Sequence, residues 1–177
     1  MEASLTLLTG GARSGKSRKA IELAGCYKNP VYIATAESLD TEMAERIRQH
    51  QQERGSHFFT LEEPVDLAGA LLRMPQKTDA VVIDCLTLWI NNLLFHYGEL
   101  AEYLPVSDFL AALQTPRCPI FVVSNELGMG LVPADPLSRR FRDQAGLLNQ
   151  QVAALAKQVI LMVSGIPIII KNSELSR

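Results

Sequence analysis

Leu5-Thr6-Leu7-Leu8-Thr9-Gly10-Gly11-Ala12-Arg13-Ser14-Gly15-Lys16-Ser17 is the stretch that decides the fold. Residues 10–17 complete the pattern G-x-x-x-x-G-K-[ST], and the short apolar, β-prone segment before them reads as a strand. Arg18 to Ala24 can continue as a helix. In such a loop, successive backbone N–H groups curl around phosphate oxygens at a helix N-terminus, where the dipole also favours anions. Gly10 and Gly15 permit a close approach that a Cβ would block. The spacing makes Gly10, Gly11, Ala12, Arg13, Ser14 and Gly15 the cradle. Lys16 is then the cation that reaches the β- and γ-phosphates, and Ser17 supplies a hydroxyl to Mg²⁺. The loop specifies a nucleotide; it does not specify what is done with it.

Outward from the loop, short apolar strands alternate with amphipathic stretches, the pattern of a mainly parallel α/β sheet flanked by helices. Val31-Tyr32-Ile33-Ala34 follows the Asn29-Pro30 break as a second strand, and Ala80-Val81-Val82-Ile83-Asp84 is a buried-type strand ending in an acid. Ile120-Phe121-Val122-Val123-Ser124 is another, delivering Asn125 and Glu126 to its C-terminal end. Helices are expected over Asp40 to Arg54, with Asp40 as N-cap, over Leu86 to Phe95, and over Val106 to Leu113. The longest helix is expected over Leu137 to Lys157, where Phe141, Ala145, Leu148, Val152 and Leu155 recur at helical steps. Val159 to Val163, a Ser164-Gly165 turn and Ile168-Ile169-Ile170 predict a terminal hairpin, hence one antiparallel strand at the sheet edge. The length fits a single catalytic domain over residues 1–171, with a frayed polar tail over 172–177.

Composition narrows the partners. The chain has 177 residues, a net charge of −2 and 47% hydrophobic residues, which describes a globular protein with a full core. That charge gives no electrostatic reason to expect nucleic acid or an anionic membrane as partner. Cys26, Cys85 and Cys118 are odd in number and lack metal-ligand spacing, so reduced thiols of a cytoplasmic protein are expected. No apolar run approaches the ~20 residues of a membrane span, and no secretory leader is evident.

Several side chains could carry chemistry. Asp84, at the end of an apolar strand, stands where a carboxylate orients Mg²⁺ or its waters; a turn or N-cap aspartate is the plainer alternative. His50 shares an apolar stripe with Met43 and Ile47 amid polar neighbours. A neutral imidazole is a competent nucleophile toward phosphorus and could displace pyrophosphate from a nucleotide held by the loop. Periodicity alone favours a hydrogen-bonded, partly buried histidine. His57 and His96 read as structural. Glu62-Glu63-Pro64 could set a carboxylate at a helix entry with Asp66 behind it, or form a solvated acidic turn. Asn125 to Gly130, at a strand's C-terminal end, is expected to border the ligand cleft. Arg139, Arg140 and Arg142 could meet a phosphorylated substrate, another subunit or only solvent.

The motifs in order then resemble one family. They are Thr9 to Ser17, Tyr32 to Ala36, and Asp40-x-Glu42-Met43-x-x-Arg46-Ile47-x-x-His50, followed by Ser124 to Pro133, Phe141-Arg142-Asp143-x-Ala145-Gly146-x-x-Asn149-Gln150 and Val163 to Pro167. Together they resemble adenosylcobinamide kinase/adenosylcobinamide-phosphate guanylyltransferase. The resemblance implies a RecA-like P-loop fold and a homotrimer with sites near subunit boundaries. It implies phosphorylation of adenosylcobinamide by ATP or GTP, then transfer of GMP from GTP, through a guanylyl group on His50, to give adenosylcobinamide-GDP. By position it also implies guanine-nucleotide contacts at Ala34, Thr35, Ala36, Gln51, Gln52, Glu53, Arg54, Glu62 and Asp84. Three departures stand out: Gln49 where some relatives have a histidine, Asp84 where some have glutamate, and a short region from His96 to Pro116. A P-loop small-molecule kinase without nucleotidyl transfer is the main alternative. A nucleotide-dependent switch or motor is disfavoured by the length and charge.

Overall fold

The computed structural model describes residues 3–37 and 55–173. The helix expected over Asp40 to Arg54 lies outside the described residues, and with it His50, Gln51, Gln52, Glu53 and Arg54. The described elements are, in order, β1 (Leu5–Gly10), α1 (Lys16–Ala24), β2 (Pro30–Ala34), a 3₁₀ turn (Gly55–His57), β3 (Phe59–Glu62), α2 (Leu67–Arg73) and β4 (Ala80–Asp84). There follow α3 (Leu86–Tyr97), α4 (Leu104–Gln114), β5 (Ile120–Val123), α5 (Pro136–Leu155), β6 (Gln158–Val163) and β7 (Ile166–Asn172).

Seven strands form one sheet in the order β3-β2-β4-β5-β1-β6-β7. Every pairing is parallel except that of β6 with β7. Parallel strands are buried on both faces, and that is why the strand sequences are continuous apolar runs rather than alternating ones. Leu7, Ile33, Ile83 and Val122 pack on one face with Trp89, Phe109 and Leu148, from α3, α4 and α5. Leu8, Tyr32, Val82 and Val123 pack on the other with Ala20 and Ala24 of α1. The small α1 residues let the helix that follows the phosphate loop lie close against the sheet. Trp89 is fully buried, and its indole N–H donates to the Val65 carbonyl at 2.8 Å, so its polar edge is satisfied.

The terminal hairpin forms as expected. Ser164 and Gly165 both have left-handed φ, 51° and 83°, as a two-residue turn between twisted antiparallel strands requires. β7 is an outer strand with Ile166, Ile168, Ile169 and Ile170 exposed. It runs to Asn172, and the Ser173 N–H donates to the Lys157 carbonyl, so the ordered chain extends past the boundary expected at residue 171.

Other differences have local causes. α4 starts at Leu104, ahead of the expected Val106, because Pro105 falls in its first turn, where a missing N–H costs nothing. α5 starts at Pro136, where Asp135 caps it by accepting the Ser138 N–H at 2.8 Å. It ends at Leu155, short of Lys157, because the Lys157 N–H is already committed to the Leu5 carbonyl beside β1.

Candidate nucleotide site

The residues after β1 form the loop that the sequence calls for. Gly15 is the N-cap of α1 with φ 94°, and no side chain caps the helix start. The first-turn N–H groups of α1 therefore lack a protein acceptor at the cap and face a prospective anion. Gly10 has φ 145°, and a Cβ there would collide with the Met162 carbonyl oxygen of β6. Glycine at this position is thus a requirement of the β1–β6 pairing as well as of ligand approach. Gly11, Ala12 and Arg13 are exposed on the loop, and Arg13 itself has φ 56°.

Lys16 is only 6% exposed, and its Nζ donates to the Gly11 carbonyl at 2.6 Å. Burial pushes its ammonium below the ordinary lysine pKa, while Cys85 and Asp84 pull it back up. The Asp84 carboxylate thus reaches the loop cation electrostatically although β5 separates β4 from β1. Asp84 Oδ2 accepts the Tyr32 hydroxyl at 2.6 Å, which fixes the orientation of the carboxylate. The Ser17 hydroxyl and the Asp84 carboxylate are hard oxygen donors. Among the described residues no group of three His, Cys, Asp or Glu forms a cage for a metal. Few protein oxygens completed by phosphate oxygens and water is the donor set that suits Mg²⁺, so the residues present fit that ion.

Thr35 is fully buried, and its polar groups are committed within the protein. Its hydroxyl bridges Cys85, donating to the carbonyl at 2.9 Å and accepting the N–H at 2.8 Å. Its N–H donates to the Asp84 carbonyl, and its own carbonyl accepts from Asn92 Nδ2 at 2.7 Å. Thr35 therefore locks the end of β2 to the end of β4. Ala34, half-buried, is paired with Asp84 on one side and Glu62 on the other. Glu62 is exposed on β3. Three strand spacings separate β2 from β1 and four separate β3 from it, about 14 and 19 Å at ~4.8 Å each. Ala34, Ala36 and Glu62 therefore stand far along the sheet edge from the phosphate cradle.

Beyond β5, Glu126 and Met129 of the segment Asn125 to Gly130 border a cavity beside the loop. This cavity, of about 330 Å³, is also lined by Gly10 to Ser14 and Leu161 to Ser164. The Glu126 N–H donates to the Gly10 carbonyl at 2.9 Å, and the Asn125 N–H donates to Thr87 Oγ1 at 2.9 Å. At the same end of the sheet, Thr9 Oγ1 and Ser124 Oγ are buried without a hydrogen-bond partner.

The remaining candidates have structural partners. His57 Nε2 lies 2.9 Å from the Tyr27 carbonyl, and His96 pairs with Glu37 at 3.1 Å. Arg139 donates to the Pro133 and Ala134 carbonyls, Arg140 pairs with Glu99, and Arg142 with Asp143. Glu63 accepts the Val65 and Asp66 N–H groups, and Asp66 caps α2 through Gly69. The partners of Tyr32 and Thr87 are not legible from residue order, because a strand tyrosine and a helix threonine look like core and propensity choices until the sheet order is known.

A glycine-rich loop after β1, an uncapped helix start, a buried loop lysine and an acid-bearing β4 separated from β1 by one strand define a RecA-like P-loop nucleotide-binding protein. Residues 6–170 match the family described as cobinamide kinase / cobinamide phosphate guanyltransferase, and the chain belongs to that family. It is 43% identical over 182 residues to the bifunctional adenosylcobalamin biosynthesis protein CobU of Escherichia coli (strain K12), covering 94% of this chain and 99% of that one. It is 42% identical over 170 residues to the bifunctional adenosylcobalamin biosynthesis protein CobP of Pseudomonas aeruginosa, covering 96% and 98%. A solved protein of Pyrococcus horikoshii OT3 shares the fold with a TM-score of 0.53 at 9% identity, over 96% of this chain and 86% of that one. Among the described residues no helix is long and apolar enough to cross a membrane.

Proposed function

We propose that this chain phosphorylates adenosylcobinamide with ATP or GTP and then transfers GMP from GTP to the phosphorylated product, giving adenosylcobinamide-GDP and pyrophosphate. The observation that carries this reading is the phosphate cradle from Gly10 to Ser17 in a chain whose residues 6–170 match the family described as cobinamide kinase / cobinamide phosphate guanyltransferase.

In the kinase half, the α1 N-terminus and Lys16 hold the polyphosphate and offset charge that develops as the γ-phosphoryl group moves. Ser17 and Asp84 are the residues to hold Mg²⁺, which when bound neutralises phosphate charge. Tyr32 keeps the Asp84 carboxylate in a fixed orientation. In the guanylyl half, His50 attacks the α-phosphorus and takes GMP, pyrophosphate departs with the electron pair of the broken bond, and the substrate phosphate then takes GMP from the imidazole. Ala34, Ala36, Glu62 and the stretch Gln51 to Arg54 serve the guanosine end, with Thr35 tying the end of β2 to β4. The active assembly is a homotrimer, a state that light scattering reads directly.

The test uses GTP labelled at the α-phosphorus. The expected result is acid-labile, alkali-stable label on the protein that His50→Asn abolishes, while γ-phosphoryl transfer to adenosylcobinamide persists. A wild-type chain that transfers the γ-phosphoryl group and never takes label is a kinase alone.

A further inference from the structure

We propose that Glu126 is the general base of the kinase half-reaction, taking the proton from the acceptor hydroxyl as it attacks the γ-phosphorus. This rests on the kinase reading above and names a residue that the phosphate loop and Asp84 do not supply.

The first support is position. Glu126 is the one carboxylate, among the described residues, on the wall of the cavity lined by Gly10 to Ser14 of the phosphate loop. Arg13 is the other charged side chain on that wall. Asp84, separated from β1 by β5, is the carboxylate assigned to Mg²⁺ above, and Glu62 lies four strands from β1.

The second support is preorganisation. The Ser124 N–H donates to the Leu8 carbonyl at 3.0 Å, the Asn125 N–H to Thr87 Oγ1, and the Glu126 N–H to the Gly10 carbonyl. Asn149 Nδ2 donates to the Asn125 carbonyl at 3.1 Å. The backbone carrying Glu126 is therefore fixed to the first glycine of the phosphate loop and to α3 and α5. One carboxylate oxygen, Oε1, accepts the Gly128 N–H at 2.7 Å, which sets the side-chain rotamer. The second, Oε2, has no hydrogen bond among the described residues. A carboxylate held by one oxygen and open at the other is the arrangement that accepts a substrate hydroxyl proton in phosphoryl transfer.

The step balances. The acceptor oxygen forms a bond to the γ-phosphorus, the bond from that phosphorus to the β–γ bridging oxygen breaks, and the nucleoside diphosphate leaves with its electron pair. The hydroxyl proton passes to Glu126 Oε2.

The test compares wild type, Glu126→Gln and Glu126→Asp, measuring the phosphorylation of adenosylcobinamide by ATP or GTP with Mg²⁺ across pH. Glutamine can still accept the Gly128 N–H, so the loop stays in place while the base is lost. The expected result is a fall in kcat of about 10²-fold or more for Glu126→Gln, nucleotide KM within threefold, and loss of the acidic limb of the pH profile. Glu126→Asp should retain that limb at intermediate rate. A Glu126→Gln variant that keeps the wild-type rate overturns the assignment, as does one that is slow yet keeps the acidic limb, since that marks a loop-positioning role alone. A wild-type chain that transfers no γ-phosphoryl group overturns the kinase reading itself, and this assignment with it.

Discussion

The Gly165 N–H donates to the Ser14 carbonyl at 3.0 Å, so the turn of the terminal hairpin rests on the phosphate loop. The Gly165 Cα also lies 3.4 Å from where a Cβ on Gly15 would stand. The loop is thus braced by β6 at Gly10 and by the hairpin turn at Ser14.

Replacing each bracing glycine should have a different signature. In Gly165→Ala the new Cβ meets Arg18 at an ordinary 3.6 Å, so the penalty is that of a left-handed residue, about 1–2 kcal/mol. Tm should fall by roughly 2–8 °C, with nucleotide affinity within a few-fold because the N–H remains. Gly10→Ala meets the Met162 backbone instead and should weaken nucleotide binding by at least about tenfold, since β1 or β6 must shift. Thermal melts with calorimetric GTP titrations separate the two.

Lys16→Met should cost about 10–100-fold in nucleotide affinity, the worth of a charged hydrogen bond. Wild-type stability should also respond to alkali through this residue. The folded chain gives up the Lys16 proton below the ordinary lysine value of 10.5, so in the window up to 10.5 the unfolded chain binds more protons. Stability supplied by this group therefore rises with pH there, while nucleotide affinity falls. Denaturant melts of wild type and Lys16→Met across that window should diverge in this sense.

Cys85 contributes with the opposite sign. Burial pushes its thiol up to about 12 from the ordinary 9.0, so from pH 9 upward the unfolded chain ionises first. Stability is lost as pH rises through that window, by up to about 1.4 kcal/mol per unit. Cys85→Ala should flatten this slope in alkaline melts. In the native chain, iodoacetamide should modify the exposed Cys26 well before the buried Cys85 and Cys118.

Tyr32→Phe removes the hydroxyl that holds Asp84 Oδ2. The expected outcome is a several-fold rise in the Mg²⁺ concentration for half-maximal phosphoryl transfer, with a stability loss of about 1 kcal/mol. An unchanged Mg²⁺ dependence would separate Asp84 from the metal.

Much of this was readable from residue order, and the parts that were not have physical reasons. The Gly10 to Ser17 loop, the acid ending β4 and the Ser164-Gly165 turn announce themselves because each demands particular residues at fixed spacing. β3 escaped because Phe59, Thr60 and Glu62 are exposed, leaving neither alternation nor a buried run to detect. α2 is only seven residues long, and its acidic entry was legible while the helix itself was not. Sheet order is a long-range property. Without it nothing in the sequence brings Tyr32 to Asp84, or turns Thr35 from a nucleotide contact into a clasp between β2 and β4. His50, the residue proposed to take GMP, lies outside the described residues.

The bracing of the loop also sets the order in which the protein can be made. The phosphate loop is translated before β6 and the hairpin, yet Gly10 is paired with Met162 and Ser14 is held by Gly165, with nearly the whole described chain between. A nascent chain carrying the complete glycine-rich motif still lacks its brace until β6 and the hairpin have emerged. Such distant pairings fold slowly, because chain entropy is spent before the contacts return it. Nucleotide, binding only the finished site, would then draw the folding equilibrium toward completion.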